Sequence, residues 1–354
     1  MTPGPTQVRE NVRMARSLEF QNPDLDADFC EYYKETCLLA SELLHTKNET
    51  LILDGEGILG LEAACASITE PGDRVLVIDN GLYGESFKDF VTMYGGISTL
   101  YTVDYDNPVD PEKLAEYLKE QHDFKYATVV HCDTPSGMLN DISKICPLLK
   151  SYGILTVVDS VSAMFGEEVR ADDYRIDILC GGSQKAISAP PGLTIVTISQ
   201  DAKDVMNQRK TPIASFYANL KVFEHYYEEK WFPYTMPASD IYGLRQALEN
   251  IKNDPEHLKR HEKVAEKTRT TLKEMGLTLY PHSGYSNTVT TFEVPEGFTD
   301  KEILSKMRND YNILLAGSFG CFGGKLIRIG HMGESANEKD VDEVLQALKE
   351  ILKK

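Results

Sequence analysis

The chain has 354 residues, of which 42% are hydrophobic and 26% are charged. This balance is typical of a globular protein with one large and one smaller domain, or with two of medium size. The formal net charge of -18 argues against a surface for nucleic acid or an anionic membrane, because phosphates would repel it, although a local basic pocket for a small anion remains possible.

Seven cysteines are scattered without a Cys-x-x-Cys pair. This pattern is typical of reduced thiols and not of a disulfide framework or a zinc site. The opening Met-Thr-Pro-Gly-Pro shows no secretory signal, and no apolar run approaches the ~20 residues that span a bilayer. We therefore expect a cytoplasmic protein with no metal in its site.

Apolar, β-rich runs alternate with helical stretches through the first two-thirds of the chain. Asp110 before Pro111 is expected to cap one of the helices. The alternation predicts an α/β fold with a mostly parallel sheet covered by helices, and such sheets bind ligands at the carboxyl ends of their strands. The predicted strands are Arg74–Asp79, Ile97–Val103, Ala127–Cys132, Ile154–Asp159, Ile176–Leu179 and Leu193–Ser199, and helices are predicted at Pro111–Gln121 and Ile142–Tyr152.

The pattern changes from about Ser239. We predict helices at Ser239–Ile251, Glu256–Met275, Asp300–Tyr311 and Glu338–Lys353, with strands at Val289–Val294 and Leu326–Ile329. The predicted organisation is an N-terminal segment (1–20), a large cofactor-binding domain (21–251) and a smaller C-terminal α+β domain (252–354).

Lys185 and Asp159 lie at or just after the ends of two neighbouring predicted strands. Lys185 lies in Gly-Gly-Ser-Gln-Lys-Ala, and Asp159 ends an apolar run twenty-six residues earlier. Pyridoxal chemistry requires an amine that forms a Schiff base with the cofactor aldehyde, and a carboxylate that keeps the pyridine nitrogen protonated so that the ring accepts electrons. A lysine and an aspartate at neighbouring strand ends meet this requirement.

A glycine-rich turn, residues 54–60, follows the apolar run 51–53 and opens a helical pattern. Its glycines free backbone N–H groups at a helix N-terminus, an arrangement that binds anions; a turn whose glycines serve close packing is the alternative. Tyr83 follows another strand, and its ring can stack on a flat cofactor or simply pack against the protein.

Polar groups also follow a third strand, in residues 131–137. The hydroxyl groups there can hydrogen-bond a phenolic oxygen, or the Asp, Pro and Gly of this segment can serve only to form a turn. Arg328 lies in an otherwise apolar strand, residues 324–330. Because a guanidinium binds a carboxylate through two parallel hydrogen bonds, Arg328 is a candidate for substrate binding, with a structural salt bridge as the alternative.

Together these segments resemble the class V aminotransferases of the pyridoxal-phosphate fold type I superfamily. The similarity extends from Pro3-Gly4-Pro5 to the final helix. The segments 183–186 (Ser-Gln-Lys-Ala) and 189–192 (Ala-Pro-Pro-Gly) are similar to the lysine segment of alanine–glyoxylate and serine–pyruvate aminotransferases. The resemblance implies a pyridoxal 5'-phosphate enzyme with a seven-stranded-type sheet, and a homodimer with active sites at the interface.

The resemblance also implies a role for each matching residue. Lys185 would carry the Schiff base and shuttle a proton as general acid and base, and Asp159 would pair with the ring nitrogen. The other matches would bind cofactor or substrate: Tyr83 stacks on the ring, Thr134 hydrogen-bonds the 3-oxygen, Gln184 and the backbone of Gly57 and Ile58 hold the phosphate, Thr235 reaches the phosphate of the neighbouring subunit, and Gly4 and Arg328 bind the substrate.

One branch of the class, pyridoxamine–pyruvate aminotransferase, is similar in further stretches. In that branch a Glu stands where relatives have a phosphate-binding Ser or Thr, and unphosphorylated pyridoxal is a substrate. Glu56 matches this position, and a carboxylate repels a phosphate but accepts a hydrogen bond from a hydroxyl. Two departures favour the phosphate cofactor: Phe319 stands where the branch has a second Arg, and Gln184 precedes the lysine as in phosphate-binding relatives.

We therefore expect a ping-pong transamination in which a small amino acid donates its amino group to pyruvate or glyoxylate. A pyridoxal-dependent lyase such as a cysteine desulfurase is an alternative. It would need a mobile nucleophilic cysteine, for which Cys321 is the candidate, but such enzymes have His where this chain has Gln184. A non-catalytic binding protein is a third reading, and the joint presence of Lys185, Asp159 and Arg328 argues against it.

Overall fold

The computed structural model describes residues 1–19 and 21–353. Within them, the strands are β1 Glu49–Asp54, β2 Arg74–Asp79, β3 Ile97–Thr102, β4 Tyr126–Val130, β5 Cys132–Asp133, β6 Met138–Leu139, β7 Leu155–Asp159, β8 Ile178–Gly182, β9 Leu193–Ile198, β10 Val289–Glu293, β11 Ala316–Gly317 and β12 Leu326–Gly330.

The α-helices are α1 Glu10–Ala15, α2 Ala27–Leu43, α3 Gly57–Ile68, α4 Leu82–Met93, α5 Pro111–Glu120, α6 Ile142–Ser151, α7 Gln200–Asn207, α8 Tyr226–Glu229, α9 Ala238–Lys252, α10 His257–Glu274, α11 Asp300–Tyr311 and α12 Glu338–Leu352. Short 3-10 helices lie at Leu220–Phe223, Gly320–Phe322 and Gly333–Ser335. Within the part of the chain described, no helix combines the length and the apolar character needed to cross a membrane.

Seven strands form the central sheet in the order β1-β9-β8-β7-β4-β2-β3. The five strands β8, β7, β4, β2 and β3 are parallel to one another, whereas β9 is antiparallel to both β8 and β1. Every residue of β4, β7, β8 and β9 is buried, because the sheet is covered on both faces, and such strands are continuous apolar runs in the sequence. The predicted α/β fold with a mostly parallel sheet is confirmed.

Local signals agree with the observed boundaries in most places. Asp110 caps α5 by accepting hydrogen bonds from two backbone N–H groups of the first turn, and Pro111 is the first helical residue. One strand is shifted, because β8 begins at Ile178 and not at residue 176. The carboxylate of Asp177 accepts a hydrogen bond from the N–H of Thr156 at 2.9 Å. Asp177 therefore belongs to the turn before β8 and not to the strand.

The topology brings three sequence segments to one edge of the sheet. Since β9 is antiparallel to both of its neighbours, β1 runs in the same direction as β7 and β8. Asp159 is the last residue of β7, Lys185 comes three residues after β8, and α3 begins directly after the turn that follows β1. The lysine, the carboxylate and the glycine-rich turn therefore meet at the carboxyl ends of the strands.

A second, antiparallel sheet has the order β10-β12-β11. Its apolar side chains, such as Phe292 and Ile327, pack with α10, α11 and α12 in a core separate from that of the large sheet. The two-residue strand β11 is too short for a periodic pattern and was not predicted. The division at residues 20 and 251 stays a prediction, and its end points Phe20 and Lys354 lie outside the described residues.

Candidate active site

A cavity of about 320 Å³ opens at the carboxyl edge of the large sheet. It collects most of the predicted site residues, although their sequence positions range from 4 to 185. A larger cleft of about 790 Å³ near Asp110 contains neither Lys185 nor Asp159, so the smaller cavity is the candidate active site. Its lining residues are Gly4, Pro5, Glu56, Ile58, Leu61, Tyr83, Cys132, Thr134, Asp159, Val161, Ser162, Gln184, Lys185 and Pro191.

Lys185 extends from the turn after β8 into this cavity. Its Nζ donates a hydrogen bond to the carbonyl of Pro3 at 2.6 Å, and burial lowers the pKa of the amine, which favours the neutral, nucleophilic form. Gly4 lies against the lysine with a φ of +103°, and a Cβ at this position would approach Lys185 Cδ to 2.5 Å. The close approach therefore requires glycine.

Asp159 is buried at the end of β7, with 5% of its surface exposed. One carboxylate oxygen accepts a hydrogen bond from the N–H of Val161 at 2.9 Å. Burial raises the pKa of Asp159 to about 7, a rise that the hydrogen bond from Val161 and the nearby Lys185 amine oppose. A buried carboxylate of this kind gains stability from a cationic ligand atom, which a protonated pyridine nitrogen supplies.

Thr134 and Tyr83 line the cavity near Asp133. The Thr134 hydroxyl donates to Ser162 Oγ at 2.6 Å, and the Tyr83 N–H donates to an Asp133 carboxylate oxygen at 3.1 Å. This bond links the Thr134 hydroxyl to that of Ser162, which also lines the cavity. Sequence reasoning missed Ser162, although its place three residues after Asp159 beyond a strand end was a usable signal.

Glu56 closes the end of the cavity at the N-terminus of α3. Its Oε1 accepts the N–H of Ile58 at 3.2 Å, and its Oε2 accepts the side-chain N–H of Gln184 at 2.9 Å. The other polar atom of the Gln184 amide, Oε1, is buried and has no hydrogen-bond partner among the described residues. The helix N-terminus, which normally binds an anion, is thus capped by a carboxylate of the chain itself.

Arg328 lies in the middle of β12 and not in the lining of the cavity. Its Nε and Nη2 donate to the carbonyl of Gly317 at 3.0 and 2.7 Å, and its guanidinium lies 5.7 Å from the ring centre of Phe319. Phe319 in turn packs edge-on against Tyr83, with ring centres 6.1 Å apart. No carboxylate pairs with Arg328 in the described part of the chain, so the salt-bridge alternative fails.

The remaining predicted residues lie at the margins of this site. Gly57 is buried at the start of α3, where a Cβ would approach Val161 Cγ2 to 2.7 Å, so close packing explains this glycine. Thr235 is exposed, donates to Asp24 at 2.8 Å and lies outside the cavity. Cys321 is exposed in the 3-10 helix that follows Phe319.

Comparison with known proteins identifies the family and agrees with the fold. The sequence profile of the family described as Aminotransferase class-V matches residues 13–342. A pyridoxamine–pyruvate transaminase of Mesorhizobium japonicum is 34% identical, over 88% of this chain and 81% of its own length. An alanine–glyoxylate aminotransferase of Callithrix jacchus is 30% identical, over 99% of this chain and 86% of its own length.

Among solved structures, the ureidoglycine–glyoxylate aminotransferase of Bacillus subtilis superposes with a TM-score of 0.95 at 30% identity, covering 99% of this chain and 92% of the other. The fold and site therefore define an enzyme of fold type I. The chain belongs to the class V aminotransferase family. The predicted resemblance and the aminotransferase class are confirmed, and these relatives give no support to the lyase interpretation of Cys321.

Proposed function

We propose that this aminotransferase moves an amino group from a small amino acid to pyruvate or glyoxylate, with pyridoxal 5'-phosphate as its cofactor. The observation that carries the proposal is the convergence of the Lys185 amine and the Asp159 carboxylate on one cavity of about 320 Å³. Groups that lay on different cavities could not contact one heterocycle. Relatives that act on pyruvate or glyoxylate support the choice of acceptor.

The residues present fit the pyridine ring of this cofactor. Asp159 supplies a buried negative charge, Tyr83 an aromatic face, and Thr134 with Ser162 hydroxyl groups for the 3-oxygen. When bound, the ring supplies an electron sink that stabilises negative charge on the amino-acid Cα. Asp159 would hold the proton on the ring nitrogen, and Lys185 Nζ would take the proton from Cα and deliver it to the carbon that was the cofactor aldehyde.

Arg328 is proposed to bind the substrate carboxylate. Gly317 occupies its Nε and one hydrogen of Nη2, so the remaining guanidinium hydrogens are available to a bidentate ligand. The neighbouring ring of Phe319 makes this end of the site apolar, which suits a small amino acid with one carboxylate. Binding here would orient the Cα–H bond for removal by Lys185.

Replacing Arg328 with alanine is expected to raise KM for the amino donor by about 10–100-fold, because a charge-assisted hydrogen bond contributes about 1.5–3 kcal/mol. Since Arg328 does not line the cavity, cofactor affinity measured by absorbance titration should stay near the wild-type value. Arg328→Lys keeps the positive charge but loses the pair of parallel N–H donors, so it should give an intermediate KM. A loss confined to kcat would contradict this role.

A second function is favoured by the position of Glu56. Its carboxylate occupies the N-terminus of α3, and the amide N–H of Gln184 is already donated to it. The Glu56 carboxylate presents a hydrogen-bond acceptor at this end, which suits a 5'-hydroxyl and repels a phosphate. The alternative is therefore a pyridoxamine–pyruvate aminotransferase whose substrate is unphosphorylated pyridoxamine.

Replacing Glu56 with serine is expected to strengthen the binding of pyridoxal 5'-phosphate by about tenfold, since a negative charge beside the phosphate is removed. Affinity for free pyridoxal should fall. Absorbance titrations with both compounds measure the two dissociation constants. Glu62→Ser is the matched control, because Glu62 lies on the same helix but hydrogen-bonds Tyr94. Weaker phosphate-ester binding in Glu56→Ser would refute the repulsion.

The identity of the bound vitamin B6 compound decides between the two functions. Purified protein is reduced with borohydride, and the mass added to the Lys185 peptide is measured. An added mass that matches the reduced phosphate ester supports the first function. An added mass that matches the reduced free alcohol supports the second. Assays of small amino acids and pyridoxamine, each with pyruvate or glyoxylate as acceptor, then identify the donor.

We also propose a homodimer, in which Thr235 reaches the site of the neighbouring subunit. Thr235 is exposed in the single chain, and Ile58, which lines the cavity, is 53% exposed. Both positions are therefore accessible to a second copy. Analytical ultracentrifugation measures the assembly state, and a monomer would refute this arrangement. The cytoplasmic location also stays a prediction.

A further inference from the structure

Residues 1–6, here called the strap, run beside the active-site cavity. The N–H of Gly330, at the end of β12, donates to the carbonyl of Met1 at 3.0 Å. Pro3 is buried, and its carbonyl accepts the hydrogen bond from Lys185 Nζ at 2.6 Å, across 182 residues of sequence. The strap therefore contacts the small sheet with one carbonyl and the amine of Lys185 with another.

Thr6 fastens the strap to the lysine turn, residues 183–189. Its N–H donates to the carbonyl of Gln184 at 2.9 Å, and its hydroxyl donates to the carbonyl of Lys185 at 2.9 Å. The same hydroxyl lies 3.2 Å from Ser188 Oγ, which accepts the N–H of Glu334 at 2.9 Å. One small cluster thus joins the strap, the lysine turn and the segment after β12.

We propose that the strap positions Lys185 for proton transfer, with the Pro3 carbonyl holding the free amine at the cavity wall and Thr6, with Ser188, holding the strap. The inference rests on the proposed function, which gives Lys185 its role in transamination. A carbonyl at 2.6 Å accepts a hydrogen from the amine and so fixes the position of Nζ. A lysine held at one wall also has fewer rotamers to search before it reaches the substrate carbon.

The contacts of Gly4 support this arrangement. A Cβ at Gly4 would approach Cδ, Cε and Nζ of Lys185 to between 2.5 and 2.9 Å. The strap backbone therefore packs along the outer part of the lysine side chain and does not merely touch its tip. In this arrangement Thr6 and Ser188 act through the strap and are positioning residues.

Thr6→Val tests the proposal, because valine keeps the shape of threonine and lacks the hydroxyl. In protein freed of cofactor, acetylation of Lys185 by acetic anhydride at pH 8 should increase about threefold or more relative to exposed lysines, since a loosened strap frees the amine. Hydrogen–deuterium exchange of the strap should also be faster. In the loaded enzyme kcat should fall about tenfold while KM for the donor stays within about twofold.

Two variants control this experiment. Thr6→Ser restores the hydroxyl and should behave as wild type. Thr92→Val removes a hydroxyl that donates to the backbone carbonyl of Lys88 at 2.7 Å on α4, outside the strap and the cavity lining, and should also leave every measurement unchanged. Acetylation and exchange in Thr6→Val that match Thr92→Val would overturn the proposal.

Faster acetylation with an unchanged kcat would also overturn the role in proton transfer, because the strap would then serve stability alone. The labelling and exchange measurements need neither cofactor nor turnover. These measurements can therefore support the role of the strap even if an active Lys185→Ala variant refutes the proposed function. A failure of the strap proposal is thus distinguishable from a failure of the proposed function.

Discussion

Replacing Lys185 with alanine is expected to lower the transamination rate by about four orders of magnitude. The variant loses both the amine that condenses with the cofactor aldehyde and the acid–base group, and positioned acid–base catalysis alone contributes about 10²–10⁴-fold. The residual rate is measured with alanine and either glyoxylate or pyruvate, under single-turnover conditions. Since the Lys185 side chain makes one hydrogen bond within the described residues, to the Pro3 carbonyl, the fold should tolerate its truncation.

A chemical control separates lost chemistry from lost structure. Small primary amines added to Lys185→Ala should restore part of the rate, because they can occupy the vacated volume and act as the missing base. Lys144→Ala is a surface control, since Lys144 forms an exposed ion pair with Asp141 far from the cavity lining. A Lys185→Ala enzyme with a wild-type-like rate would refute the mechanism.

Replacing Asp159 with asparagine is expected to have opposite effects on activity and on stability. The rate should fall by about 10³-fold, because an amide cannot hold the ring nitrogen in its protonated form. In protein freed of cofactor, however, the free energy of unfolding at pH 8 should rise by an amount on the order of 2–4 kcal/mol. Asparagine retains an oxygen for the N–H of Val161 and carries no buried charge.

The expected pH dependence follows from the direction of the pKa change. Burial raises the pKa of Asp159 from 3.8 in the unfolded chain to about 7 in the folded protein. Between these values the folded state binds more protons, so the wild-type protein without cofactor loses stability as pH rises from about 4 to 7, and the loss is complete above that range. The advantage of Asp159→Asn should therefore increase from pH 5 to pH 8.

Chemical unfolding at several pH values measures this difference. Adding cofactor should stabilise the wild-type protein more than Asp159→Asn, because only the wild-type carboxylate gains a cationic partner. An advantage that does not change with pH, or a variant less stable than wild type at pH 8, would mean that Asp159 is not a destabilising buried charge.

Local patterns in the sequence were enough to predict the strands and turns that carry Asp159 and Lys185. The strands that end near Asp159 and Lys185 are short apolar runs bounded by turns, and their type depends on nearest neighbours along the chain. The Asp110 cap and the helix after it depend on residues one to three positions apart. Two-residue strands such as β11 carry no such pattern, because their pairing depends on the partner strand alone.

The sequence by itself determined that an aspartate ends one short apolar strand and that a lysine follows the next, because strand-forming runs and side-chain types are local properties, whereas the pairing of these two strands in one sheet is not. Only the tertiary structure decided how distant groups meet. The Pro3 carbonyl contacts Lys185 across 182 residues, and Glu56 contacts Gln184 across 128 residues. Such contacts depend on the packing of the whole chain, which brings the first residues and the helix α3 to the same edge of the sheet as Lys185.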